Sequence, residues 1–64
     1  MQIVIEKTGE KKEMNFRGTA EQLLKELHIN HTTVIVAADQ KLIPLDTDIS
    51  SAKKIDILAI VSGG

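Results

Sequence analysis

One stretch of this chain, TAEQLLKEL at residues 19–27, carries a clear helical period, and it is the only good helix in the sequence. Ala20, Leu23, Leu24 and Leu27 follow the i, i+3, i+4, i+7 rule and form one apolar stripe. Glu21, Lys25 and Glu26 fall on the wet side. Thr19 offers an N-cap oxygen and Gln22 follows three residues later, the spacing of a capping box. Asn30 reads as the C-terminal stop. A lone amphipathic helix has to bury its stripe against something, and the remaining segments are all strand-like, so the helix covers one face of a sheet.

The strands are read from alternation. Residues 1–7, MQIVIEK, put Met1, Ile3 and Ile5 on one face and Gln2, Val4 and Glu6 on the other. TGEK follows as a turn, with Gly9 supplying backbone freedom. KEMNF alternates again, with Met14 and Phe16 on one face, so the first two strands form an antiparallel hairpin. After the helix, TTVIVAAD is β-branched and reads as a third strand. Asp39-Gln40 is a turn, and KLIPL is a short strand held to an edge by Pro44, which has no amide proton to donate. DTDISSAKK is a polar loop with room for one helical turn, and KIDILAIV is the last strand. This order of hairpin, crossing helix and returning strands matches an α+β, ubiquitin-like β-grasp fold. Its mixed sheet would have four to five strands, with the last strand central and parallel to the first. The whole of residues 1–64 is expected to be a single domain, with 62–64 as a flexible tail.

Composition narrows the class. With 64 residues and no cysteine, no disulfide or zinc-thiolate site can supplement the core, which rests on the 42% of residues that are apolar. Eight basic and nine acidic residues give a net charge of −1, too balanced to draw in nucleic acid or anionic lipid. Apolar runs fall far short of the ~20 residues of a membrane span. The N-terminus lacks the pattern of a signal peptide. The expectation is a soluble cytoplasmic protein with no membrane or direct nucleic-acid partner.

One face of the sheet is left over. Ile55, Ile57 and Ala59 alternate on one side of the last strand, and Val34, Val36 and Ala38 on one side of the third. These join Ile3, Ile5, Phe16, Leu23 and Leu27 in the expected core. The opposite side then carries Leu58 and Ile60, Ile35 and Ala37, with Val4 nearby. A sheet face turned to water ordinarily carries polar residues. Apolar residues clustered on neighbouring strands instead read as a docking surface, formed by Ile35, Ala37, Leu58, Ile60 and Ser62. Isolated exposed apolar residues, by contrast, are ordinary.

That face leads into the last residues, IVSGG. Gly63 and Gly64 have no side chains, so an extended end can enter a channel too narrow for a Cβ and present its carboxylate beyond it. A carboxylate becomes reactive when it attacks the α-phosphate of ATP and forms an acyl-adenylate. A sulfur donor then yields a thiocarboxylate, and an amine an amide. The plain alternative is a frayed terminus.

Four segments together, MQI, TAEQLLKEL, IVAADQKLIP and KIDILAIVSGG, make the chain resemble the ThiS/MoaD family of ubiquitin-like sulfur carriers, and its compact length looks closer to ThiS. Asp39 stands where the family often has asparagine, SAKK replaces a Gly-Asp turn, and Leu45 follows Pro44 in place of a basic residue. The resemblance implies a protein that is not itself an enzyme. A ubiquitin-activating-type adenylyltransferase holding ATP and Mg²⁺ would adenylate Gly64. A cysteine desulfurase or rhodanese-like protein would supply sulfur, and a downstream acceptor enzyme would take it for thiamin thiazole, molybdopterin or tRNA thiolation. No cofactor would be bound by this chain. The alternatives are a protein modifier joined to lysines through Gly64, and a passive β-grasp interaction module.

Other candidates read blandly. His28 and His31 have a helical spacing but lack third and fourth ligands, so no metal site is expected. Asp46 and Asp48 read as turn and cap residues, and Ser50 and Ser51 have no histidine placed to activate them. Lys11-Lys12 and Lys53-Lys54 lack aromatic stacking partners and read as solubilising.

Overall fold

A computed structural model of the chain describes residues 1–60. Its strands are β1 (Gln2–Ile5), β2 (Glu10–Glu13), β3 (Val34–Ala38), β4 (Lys41–Ile43) and β5 (Lys54–Ala59), with helix α1 (Ala20–Glu26) between β2 and β3. They form one five-stranded sheet in the order β2-β1-β5-β3-β4. β5 is central, parallel to β1 and antiparallel to β3, while β1–β2 and β3–β4 are antiparallel hairpins. The expected mixed sheet with one covering helix is thus present, with five strands, and the fold is a ubiquitin-like β-grasp.

The core lies between α1 and one face of the sheet. Ile3, Leu23, Leu24, Val36, Ile55 and Ile57 are all buried there. The helix starts as expected: Thr19 Oγ1 accepts from the Gln22 N–H at 3.3 Å, and Gln22 Oε1 accepts from the Thr19 N–H at 2.9 Å. Its other free first-turn donors reach the 45–47 loop, Ala20 N–H to the Thr47 carbonyl and Glu21 N–H to the Leu45 carbonyl. Every N–H of that turn is therefore paired. Gly18, just before the cap, has φ +139°, and a Cβ there would run into the Gln22 side-chain oxygen that closes the capping box.

Several expectations are corrected. The helix ends before Asn30. Leu27 is the C-cap and His28 takes a left-handed φ of 59°. The Ile29 N–H bonds the Leu24 carbonyl and the His28 N–H bonds the Lys25 carbonyl, a Schellman closure with histidine where glycine is usual. Leu24 is in the core and Ile29 packs half-buried against it, in keeping with the apolar pairing that accompanies such an ending. Asn30 instead caps a 3₁₀ turn at His31–Thr33. The second strand begins two residues before KEMNF and ends at its Glu13: all four residues of β2 are exposed, and Met14 and Phe16 pack on the core from beyond its end. Leu27, Ile5 and Ala38 are half-buried at the margin of the core rather than within it.

Two further departures concern the ends of the core. Ile49, in the supposedly polar loop, is 1% exposed. The loop places it there because the Ile49 N–H donates to the Gly18 carbonyl at 2.8 Å and the Ala52 N–H donates to the Ile49 carbonyl at 3.0 Å. Ala59, expected inside, is exposed. A helix of seven residues is only about 10 Å long. Past its end Ala59 lines an open cleft of about 280 Å³ with Ile5, Leu27, Ile29, Val34 and Ile57.

Candidate functional site

The face away from α1 is defined by register. Val4, Asp56, Ala37 and Leu42 stand in one row across β1, β5, β3 and β4. Ile35 and Leu58 are partners one step along β3 and β5, and Ile60 follows Leu58 with the same parity beyond the end of β5. The structure therefore brings Ile35, Ala37, Leu58 and Ile60 to one face, with Val4 beside them. Their accessibility differs. Ile60 is 54% exposed, Ile35 and Leu58 are half-buried, and Ala37 is only 6% exposed. Ala37 is thus the floor of this face, not a residue a partner could grip. Ser62, Gly63 and Gly64 lie outside the described residues.

Sequence reasoning missed Leu42 and Asp56. Leu42 is 67% exposed, the most exposed large apolar side chain among the described residues. Its parity was readable once the register of the β3–β4 hairpin was known, but KLI alone does not say which face the middle residue takes. Asp56 was passed over as the polar member of an alternating strand. Its side chain is 15% exposed, and its nearest cation is Lys54 Nζ at 3.8 Å, two residues back on the same face. The face is therefore an apolar patch with one largely covered carboxylate at its centre.

The end of β5 is held from the side. The Ile60 N–H donates to the Thr33 carbonyl at 3.0 Å, the last backbone bond of this edge among the described residues. Thr33 closes the 3₁₀ turn capped by Asn30. Asn30 Oδ1 accepts from the Thr32 N–H at 3.0 Å and from Thr32 Oγ1 at 2.8 Å, while Thr33 Oγ1 donates to the Asn30 carbonyl at 2.9 Å.

The start of β5 has its own tie. Asp39 Oδ1 accepts from the N–H groups of Lys53 and Lys54 at 3.1 and 3.0 Å, and the Asp39 N–H returns a bond to the Lys54 carbonyl at 2.9 Å. Asp39 and Gln40 form the two-residue β3–β4 turn with φ of 49° and 72°, the primed geometry that suits the twist of a hairpin.

The remaining candidates resolve as local structure. His28 ends the helix and His31 lies in the 3₁₀ turn; no cluster of three or more metal-binding side chains occurs among the described residues. Asp48 Oδ1 accepts from the Ser50 N–H at 2.8 Å, and that bond, with a second from the Ser50 side chain, holds its carboxyl below the ordinary carboxylate value. No helix among the described residues is long and apolar enough to cross a membrane.

A five-stranded mixed sheet with central parallel β1 and β5, covered by one helix, defines a member of the ubiquitin-like β-grasp proteins. The sequence model of the ThiS family matches residues 2–64, and the chain belongs to that family. Membership supports a sulfur-carrier role in general and, with it, dealings with an adenylating enzyme and sulfur-transfer partners. A comparison with curated proteins found no match.

Proposed function

We propose that this protein is a sulfur carrier, not a catalyst, whose Gly64 carboxylate is adenylated by a ubiquitin-activating-type enzyme and converted to a thiocarboxylate. The observation that carries the reading is that the family match runs through the final glycines, residues 2–64, and does not stop with the folded sheet. The chemistry balances simply. The carboxylate attacks the α-phosphate of ATP and pyrophosphate leaves. The outer sulfur of a cysteine persulfide on a desulfurase or rhodanese-like donor then displaces AMP to give an acyl disulfide. A thiol cleaves its S–S bond, releasing the thiocarboxylate and leaving the donor cysteine in a disulfide with that thiol. ATP and Mg²⁺ belong to the partner. The thiocarboxylate delivers its sulfur to thiazole formation for thiamin, to molybdopterin or to tRNA thiolation.

The outer face gives the partner its grip. Ile60, Leu58 and Ile35 offer apolar area at the end of β5, with Leu42 further back on the same face, so docking of this face delivers the carboxylate. Gly63 admits the tail to a narrow channel because it has no Cβ.

Pyrophosphate exchange with a cognate activating enzyme and ATP–Mg²⁺ tests the reading. Deleting Gly64, or adding one residue after it, displaces the reacting oxygen by ~3.3–3.6 Å and should abolish exchange without changing thermal stability. Gly63→Val should lose most of it. An extended variant that exchanges like wild type without being trimmed would defeat the carrier reading. Lysine-linked Gly-Gly remnants on other proteins would favour a protein modifier.

A further inference from the structure

We propose that Asn30 is a positioning residue for the reactive tail. Its side chain shapes the turn whose Thr33 carbonyl holds Ile60, four residues before Gly64. The inference rests on the reading of Gly64 as the activated group and adds a part of the molecule remote in sequence from it.

The geometry runs in one chain of contacts. Asn30 Oδ1 takes both the N–H and the hydroxyl of Thr32, which fixes the His31–Thr33 turn from inside. The Thr33 hydroxyl bonds back to the Asn30 carbonyl at 2.9 Å and the Thr33 N–H to the same carbonyl at 3.2 Å, so the residue that presents the Thr33 carbonyl is tied to Asn30 twice. The Ile60 N–H then meets that carbonyl at 3.0 Å, one step beyond the Val34–Ala59 pair. Four residues follow Ile60. Fully extended, they reach at most about 13–14 Å from the clamp. A shift at Ile60 is therefore passed to Gly64 over no more than this distance. Losing the clamp loosens Ile60, which must be ordered again when Gly64 is delivered to a partner. That cost falls on association and not on the chemistry of the bound carboxylate, so it appears in KM and not in kcat.

The experiment pairs amide hydrogen exchange on the free protein with steady-state pyrophosphate exchange, using the activating enzyme, ATP–Mg²⁺ and the full chain. Asn30→Ala should lose protection at the Ile60 amide while keeping that of Ile57, raise KM for the carrier roughly five- to tenfold, and leave kcat within a factor of about two. Asn30→Asp, which keeps the acceptor oxygen, should behave as wild type in both assays. If Asn30→Ala loses protection at Ile57 as well, Thr32→Val takes its place under the same criteria, since it removes only the hydroxyl bond to Asn30. Unchanged protection at Ile60, or lost protection with unchanged KM, overturns the clamp while the carrier reading stands. A fall in kcat at constant KM also overturns it. Wild-type protein that supports no exchange overturns the carrier reading and the clamp with it.

Discussion

Asp56 stands directly opposite Ala37 in the β5–β3 register, with Val4 on its other side in β1. A carboxylate at the centre of an apolar sheet face adds no cross-strand packing there, and burying that face against another surface would leave the charge without a new partner. Asp56→Val should therefore raise the thermal midpoint and make the protein self-associate with concentration. Sedimentation across a concentration series checks this. A variant that stays monomeric throughout would show that Asp56 has no such guarding effect.

The core makes a graded prediction. Leu23→Ala and Ile49→Ala each remove a side chain buried to 1% or less and should cost ~2–5 kcal/mol. Leu27→Ala, at the half-buried margin, should cost about 1–2 kcal/mol. Urea unfolding reads all three, and a Leu27 effect equal to that of Leu23 would contradict the burial order.

Asp39 combines a left-handed backbone with a side chain that accepts two N–H groups, and substitutions separate the two roles. Asp39→Asn retains both and should be nearly neutral. Asp39→Ala loses both and should cost about 1–3 kcal/mol. Asp39→Gly restores the backbone freedom alone and should fall between them. Equal stability of the Gly and Asn variants would mean that the Lys53 and Lys54 amides do as well with water.

The lowered carboxyl of Asp48 gives a pH dependence of definite sign. Its folded pKa lies below the ordinary value because the Ser50 N–H, then the Ser50 hydroxyl, bond the charged form. The unfolded chain therefore takes up a proton first. The stabilisation is fully present above the unfolded pKa and is lost as pH falls through the lowered folded one. Asp48→Asn keeps an acceptor without titrating, so its stability should fall less steeply across that acid window. Superimposable acid-unfolding curves would show that the cap contributes no pH dependence.

Exposure on the outer face separates docking from folding. Leu42→Asp and Ile60→Asp change side chains that are 67% and 54% exposed, so both should fold normally. If this face meets the activating enzyme, each buries an unpaired charge on docking and should weaken binding by about tenfold or more. Calorimetric titration measures it, and wild-type affinity in both variants would move the interface elsewhere.

How much was legible in the chain itself depends on the range of the interaction. The capping box at Thr19 and Gln22, the Leu23–Leu24 stripe and the Asp39-Gln40 turn were readable because their partners lie within four residues. The alternation of Ile55 and Ile57 against Leu58 and Ile60 was readable because strand side chains change sides at every residue. Which face α1 would cover was inferred from the same period.

Tertiary structure decided the rest. Ile49 joins the core because its loop is tied to Gly18 some thirty residues away, an encounter that no local pattern encodes. Ala59 leaves the core because α1 ends short of it. Leu42 reaches the outer face, and Asp56 its centre, only through the register of β4 on β3 and of β5 between its neighbours. Asn30, read as a helix stop, gained its place near the end of β5 because backbone pairing brings Thr33 and Ile60 together. Local chemistry settles what a residue can do with its neighbours in sequence. Only the assembled sheet, by pairing segments far apart in the chain, decides which of those capacities meet at the end of β5.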